Sequence, residues 1–567
     1  MAAENNINSS GSELSEKDKK FRDFALNGNL WKVIFYVCIP LSVFQLINHL
    51  FNILDTMMAS HVSAIAVSAV AYLSQLQNMI SAVGTGLAVG SSLKISEAYG
   101  AGDYDMVKKR LSTLITICGI CSAVVLCILP FTPVLLRLCG TPEDFINVGT
   151  KYFIITLFST VLSFFNNVYI AIERSRGNSK RILRLNMFVI ILKLSITAYF
   201  IYGLNADITM IAVASVISQA FLFVMAIHNL CSGNDAFTFS FKSIRFKKNV
   251  VNPMLNLSFP VIVEKVAFAM GKTVINSMSK NYGSVTVGAL GISNNINGIT
   301  TQMQNGFQDG GASIISQNRG AGNIKRALGT FWRLVIIEAS LGLIMYIILN
   351  IFAGPITYLF ANSQDGYNVE FQNMIIKVFR YDSLGGCVPL GINAAVMALL
   401  FGFGKTKLTL FCNFCRVFVF RIPILWALQN FTTLGSESVG IVMCLSNILT
   451  TILSCIVAFF VIRNIKKDYK EKDEKVVGLY TDVVRGIREI KDLNLKSTVL
   501  QDVNQKQTET IKAEIKSIDT RRTWNRWIKA FQHILDFIFI LISIYFITHK
   551  SLEISSFLII FLYKNKV

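Results

Sequence analysis

Gln45, Asn48, Asn52 and Asp55 interrupt an otherwise apolar stretch at spacings of three, four and three. That spacing puts all four on one helix face, with three neutral amides leading to a carboxylate. Such a row can hold a cation or pass a proton. The plainer reading is hydrogen bonding that only joins helices. The carboxylate favours chemistry, because an ionisable group in a hydrocarbon layer is costly and seldom idle. His49 lies beside the row and could assist proton movement.

Further polar groups stand in other apolar stretches. Lys193 requires a counter-charge, or else reaches a water-filled cavity along its own stem. Glu264, Lys265 and Lys272 share another stretch, and Glu264 and Lys272 lie two turns apart, too far for direct contact. Asn294, Asn297, Thr301, Gln304 and Gln308 follow helical spacing, and Gln75 and Asn78 occupy nearly equivalent places earlier in the chain. An uncharged amide stripe suits a wet cavity that accepts varied solutes, or equally a hydrogen-bonded seam. Tyr381 and Asp382 offer one more acidic contact. Arg416 and Arg421 are expected to brace a cytosolic or interfacial end.

Other chemistries find little support. Eleven cysteines are present, and Cys118/Cys121 and Cys412/Cys415 each form a CxxC. Both pairs fall in apolar runs, where small buried side chains are the expected reading. The five histidines (His49, His61, His228, His533 and His549) show no metal-ligand spacing, so they give no reason to expect a metal. A Walker A loop needs GxxxxGK[ST]. Gly271-Lys-Thr and Gly404-Lys-Thr come nearest, but Val266 and Leu399 stand where the first glycine belongs. Neither ATP use nor enzyme chemistry is expected.

The elements that must position these groups are membrane helices. The chain has 567 residues, 53% hydrophobic and only 16% charged, against roughly 25% charged in soluble proteins. A helix needs about 20 apolar residues to cross hydrocarbon. Twelve runs qualify, near 30–55, 63–92, 111–136, 152–173, 185–204, 208–230, 250–276, 284–316, 331–353, 371–401, 408–428 and 438–462. The N-terminal arm and the even-numbered loops hold 24 Lys and Arg; the odd-numbered loops hold only Arg137, Lys151 and Lys280. Positive loops stay cytosolic, which places both ends of the twelve-helix unit inside. This bias accounts for much of the net charge of +20 without nucleic acid. Residues 1–29 lack the pattern of a secretory signal and read as a polar cytosolic arm.

The chain resembles itself at an offset of 220. Pro40 matches Pro260, Val67-Ser-Ala69 matches Val287-Gly-Ala289, and Glu97-Ala-Tyr-Gly-Ala-Gly-Asp103 matches Gln317-Asn-Arg-Gly-Ala-Gly-Asn323. Later the offset becomes 227, pairing Gly177 with Gly404. The expected fold is therefore an all-α integral membrane protein with two six-helix lobes, 30–235 and 250–465, joined by a cytosolic linker at 236–249. Parallel repeats of this kind place a substrate cavity at their interface.

The first-helix prolines, Asp55-Thr-Met-Met-Ala59, the paired Gly-Ala-Gly loops and Arg421-Ile-Pro423 resemble the multidrug and toxic compound extrusion family over about 21–465. The resemblance implies a monomeric, plasma-membrane antiporter that exports small organic, often cationic, solutes by alternating access on a proton or sodium gradient. It implies that Asp55, fifteen residues after Pro40, binds the coupling proton or sodium ion, with Asn52 and Asn48 beside it. Where many relatives carry Asn and Asp in the fifth helix, this chain has Lys193 and Thr197. A fixed amine paired with Asp55 would replace a sodium ligand and favour protons. Glu264 follows Pro260 by four residues, as in some branches of the family, and is a second candidate for proton or substrate. The family belongs to a superfamily that also contains lipid-linked glycan flippases, and a flippase predicts a large basic cavity.

The tail, 466–567, changes character. Residues 464–530 are charged and free of proline, and Phe531–Ile547 is apolar. Tyr480–Asn494 and His549-Lys-Ser-Leu-Glu-Ile-Ser-Ser resemble part of an ATP-binding-cassette exporter's membrane domain, over about 475–563. An accessory role in such an export system is the remaining alternative.

Overall fold

The computed structural model describes residues 14–59, 64–138, 143–204, 207–233, 235–363, 366–367 and 369–485. The first half comprises α1 (Glu16–Asn27), α2 (Leu30–Ala59), α3 (Ala64–Ala101), α4 (Tyr104–Ile128), α5 (Thr132–Leu138), α6 (Glu143–Ser175), α7 (Ser179–Ala198) and α8 (Ile208–Cys231). The second half comprises α9 (Lys248–Ser279), α10 (Ser284–Gly320), α11 (Ile324–Ile351), α12 (Ala353–Ala361), α13 (Val369–Gly386), α14 (Val388–Gly402), α15 (Thr406–Phe414), α16 (Ile422–Phe431) and α17 (Glu437–Arg485). A two-residue antiparallel pair, β1 (Asn362–Ser363) with β2 (Gly366–Tyr367), follows α12.

Among the described residues, ten stretches are long and apolar enough to cross a membrane, from Leu30–Leu54 to Glu437–Lys467. The two other expected spans correspond to α3 and α10. Both have spanning length, but α10 carries the amide stripe, which lowers its hydropathy. Several single runs in the sequence are broken helices. The run at 111–136 bends through a 3-10 turn, Leu129–Phe131, which holds Pro130. The run at 371–401 divides into α13 and α14 at Cys387, with Pro389 in the first turn of α14. The run at 408–428 contains a π-helical segment, Cys415–Arg421, between α15 and α16.

Four turns at one end of the bundle share a single design. Gly102, Gly177, Gly322 and Gly404 all have positive φ, between 69° and 83°, a conformation that glycine adopts without penalty. Each ends a helix with paired bonds of the Schellman type. Asp103 N–H donates to Ala98 O (3.1 Å) and Gly102 N–H to Tyr99 O (3.2 Å). The same two bonds recur at Asn178 and Gly177, Asn323 and Gly322, and Lys405 and Gly404. These are the Gly pairs 102/322 and 177/404 of the two sequence offsets.

The halves meet where α2 packs on α10, α3 on α9, and α3 on α10. Contacts there come in reciprocal pairs at an offset of 220. A Cβ on Gly90 would overlap the Ser258 backbone, and one on Gly310 would overlap Cys38. Gly86 meets Ile262 as Gly306 meets Ser42, and Gly100 meets the Gln317 carbonyl as Gly320 meets that of Glu97. Ser96 Oγ lies 3.2 Å from Ser313 Oγ, while Ser316 Oγ donates to Leu93 O at 2.7 Å. Small residues let these backbones approach closely, which is how helices associate in lipid.

Part of the polar arm is an ordered helix. Ser15 caps α1 by accepting from Asp18 N–H. Asp18 receives Arg176 Nε and Nη2 at 3.1 and 2.7 Å, and its carbonyl accepts the Tyr99 hydroxyl at 2.6 Å. Arg22 donates to Tyr99 O and Gly100 O, and Arg326 of the second half donates to Ala25 O and Gly28 O. Burial opposes the charge on Arg176, but Asp18, Glu173 and Asp235 outweigh it and raise its pKa. Helix α1 thus ties both halves together at the end of the bundle rich in Lys and Arg.

Residues 1–464 and 465–567 form separate units. The described part of the second unit is the continuation of α17 to Arg485. The exporter-like stretch beyond Arg485 lies outside the described residues.

Candidate functional site

A polar cavity of about 160 Å³ opens inside the first half. Asn48 and Asn52 of α2 face it, as the spacing predicts, together with Lys193 of α7. Its other walls carry Asn166 and Asn167 of α6, Asn186 of α7 and Gln219 of α8. Asn166 Nδ2 donates to Gln219 Oε1 at 2.6 Å and to Gln219 O at 3.0 Å. Amides of this kind offer donors and acceptors with no fixed charge. Asp55 belongs to α2, but its side chain lies outside the described residues, as does that of Gln75 in α3. Gln45 is half-buried and Asn78 exposed, and neither lines this cavity. His49 is committed to the junction of the halves: its Nε2 lies 2.9 Å from Asn295 O.

The second half has a different interior. Glu264 of α9 is buried, accepting from Thr409 Oγ1 at 2.8 Å and Asn413 Nδ2 at 3.0 Å. Asp382 of α13 is also buried and accepts from Ser293 Oγ of α10 at 2.9 Å. The amide stripe of α10 divides between uses. Asn297 and Gln304 are buried, Gln304 Nε2 donating to Cys387 O at 2.8 Å, and Thr301 Oγ1 bonds back to Asn297 O. Asn294 and Gln308 are half-buried. The stripe is therefore in part a seam between helices.

Arg416 and Arg421 depart from the sequence expectation. They do not brace an end of the bundle; both lie in the π-helical segment, midway between the ends of the span Thr406–Phe431. Both reach the same amide oxygen, Asn447 Oδ1, at 3.1 and 3.0 Å.

Sequence reasoning overlooked several groups. Asn166, Asn167 and Gln219 line the first cavity, and the adjacent asparagines in an apolar run were the available signal. Arg174 of α6 forms an ion pair with Asp309 of α10, across the two halves. Glu338 of α11 is fully buried, and neither carboxyl oxygen has a hydrogen-bond partner among the described residues. Cost of burial in an apolar run marks both acids.

Comparison with known proteins gives one family match, two relatives and two solved structures. A family model described as MatE matches residues 40–199 and 260–427. The probable multidrug resistance protein YoeA of Bacillus subtilis is 22% identical over 421 residues, covering 72% of this chain and 88% of YoeA. The probable multidrug resistance protein NorM of Thermotoga maritima is 20% identical over 417 residues, covering 71% and 87%. Among solved structures, an outward-facing multidrug-resistance MATE transporter of the MOP superfamily superposes with TM-score 0.74 at 19% identity, covering 80% of this chain and 99% of that one. A MATE in complex with MaL6 gives TM-score 0.75 at 19% identity, covering 80% and 100%.

Proposed function

The chain belongs to the MatE family, and from that premise we propose that it is a secondary transporter that exports small organic solutes by alternating access. Members of this family are transporters and not enzymes. The observation that carries the reading is the amide-lined cavity inside an apolar helical bundle, with Asn48, Asn52 and Lys193 on its wall. Reciprocal contacts at an offset of 220 support two six-helix lobes that rock against each other around their shared junction. The unit then has twelve spans, α3 and α10 included, with the Lys- and Arg-rich end cytosolic and the protein in the plasma membrane.

Coupling rests on carboxyls carried by the membrane helices. Asp55 ends the row that enters the first-half cavity, and Glu264 is held by two neutral donors in the second half. Lys193 would serve Asp55 as a fixed counter-charge, which favours proton coupling over sodium. The D55N/K193A double-mutant cycle tests that pairing, and additive losses of transport would remove it.

The direct test is efflux of a fluorescent organic solute from energised vesicles under separately imposed proton and sodium gradients. We expect gradient-driven efflux in the wild type and its loss in Asp55→Asn. Removal of 466–567 should leave efflux intact, and its loss would favour the exporter-accessory reading. A second reading, flipping of a lipid-linked glycan precursor, is favoured by one observation: the second-half interior gathers Lys272, Arg416 and Arg421. Absence of gradient-driven efflux combined with flipping of such a lipid in vesicles would establish it.

A further inference from the structure

The π-helical segment Cys415–Arg421 does something that an α-helix would not. Residues five apart on an α-helix point about 140° apart at 3.6 residues per turn. The wider turn of i→i+5 bonding brings Arg416 and Arg421 toward one face, where both guanidinium groups share Asn447 Oδ1. Arg421 is only 6% exposed, and its Nε donates to Ser446 Oγ at 3.1 Å. Arg416 also lies over the Phe268 ring, 5.5 Å from its centroid. π-bulges inside helices recur at functional sites.

Neutral oxygens accept from Arg416 Nε and from Arg421 Nε and Nη2 but leave the charges standing. No carboxylate lies within 4.0 Å of Arg416, Arg421, Lys265 or Lys272 among the described residues. Among the described residues Asp382 is the carboxylate whose charge acts on both arginines, and Arg421 acts on Lys272. Arg416 and Arg421 thus share Asp382 as their acid, while Glu264 is held apart by Thr409 and Asn413, and uncompensated charge within an apolar bundle is costly.

Two observations turn this cluster inward. At about 100° per residue, the exposed apolar side chains of α9 (Leu255, Phe259, Met270 and Val274) fall on one side of the helix, as lipid requires. Lys265, Phe268 and Lys272 fall on the opposite side, and both lysines are exposed there. At the offset of 220 these three correspond to Gln45, Asn48 and Asn52 of α2, of which Asn48 and Asn52 line the first-half cavity.

We propose that Arg416, Arg421 and Lys272 form an anion site in the second half, which takes the carboxylate or phosphate of an amphiphilic organic substrate. The proposal rests on the transport reading for the fate of that substrate, but binding can be tested without it. Guanidinium pairs suit the planar or tetrahedral oxygens of such groups. The Phe268 ring holds one guanidinium in place and gives the site an apolar wall.

The test uses the purified full-length chain in nanodiscs and fluorescence anisotropy with two forms of one dye: a rhodamine with a free carboxylate, and its ethyl ester. The wild type should bind the acid about tenfold or more tightly than the ester, the scale of a hydrogen-bonded charge. Arg421→Gln should erase that preference. Because this buried substitution can impair folding, Lys272→Gln at an exposed position is the second variant and should reduce the preference. Equal affinity for acid and ester in the wild type overturns the site, as does a preference that survives in both variants. Competition identifies the source of the anion. Stronger displacement by a short isoprenyl phosphate than by benzoate supports a lipid-borne phosphate, and the reverse supports a soluble carboxylate. Gradient-driven export of the ester without any acid preference would sink the anion site and leave the transport reading standing. Acid-selective binding without export of either dye would do the opposite.

Discussion

One face of α2 carries Gln45, Asn48, Asn52 and Asp55; the corresponding face of α9 carries Lys265, Phe268, Lys272 and Ile275. The first half lays out amides leading to a carboxylate, and the second lays out two ammonium groups around a phenyl ring. Yet the surfaces where the halves touch repeat almost contact for contact, Gly90 on Ser258 as Gly310 on Cys38. The difference teaches where symmetry is constrained. In the transport reading, lobes that rock on each other must share a bearing surface. Their interiors bind whatever they bind and are free to diverge, even in the sign of their charge.

Four measurements would break or sharpen that comparison. The largest effect is expected on transport. Glu264→Gln should lower proton-driven efflux by about tenfold or more, the scale set for a positioned acid or base, if the second half shares the coupling. Unchanged efflux, with activity lost only in Asp55→Asn, would confine coupling to the first half. Next comes the cross-half pair without a repeat mate: Val89 stands opposite Asp309 at the offset of 220. Asp309→Ala strands the nearly buried Arg174 and should cost roughly 3 kcal/mol of stability, with part recovered in the Asp309→Ala/Arg174→Ala double variant. Thermal unfolding in detergent reads this out, and no change in the single variant would show the pair to be incidental.

The symmetric surface yields paired predictions. Gly100→Val and Gly320→Val each drive a side chain into a backbone carbonyl of the other half, and each should cost about 1–3 kcal/mol. The two costs should match within experimental error. A marked difference would mean that the halves do not share their bearing surface. Smallest are Ser96→Ala and Ser316→Ala, each removing one hydrogen bond across the junction. About 1 kcal/mol or less is expected for either, again nearly equal by thermal unfolding.

Much of the helical order was legible because hydrocarbon imposes length and apolarity on a span, and the offset of 220 is a property of sequence alone. Of the row Gln45–Asp55, Asn48 and Asn52 line the cavity, because period and face are linked within one helix; Gln45 does not, and the Asp55 side chain lies outside the described residues. What faces them was not legible. Asn166, Asn167 and Gln219 reach the same space from other helices, and no spacing rule relates side chains on separate helices. Arg416 and Arg421 were misplaced although the run 408–428 already set them mid-span; what no spacing rule revealed is the π-helical turn that brings both to Asn447. Pro130 and Pro389 could have divided two long runs. Glu338 and Asp309 needed only the rule already applied to Asp55.

Helix α1 carries a consequence in time. Its partner Arg326 lies 301 residues downstream of Ala25. At about 5–20 residues per second of synthesis, that separation amounts to some 15–60 seconds. The contacts of α1 with Arg326 therefore form only after the whole first half and two further helices have been made. Once seated, α1 reports that both halves have arrived, so a protease directed at residues 16–27 during synthesis would read the assembly of the bundle as a clock.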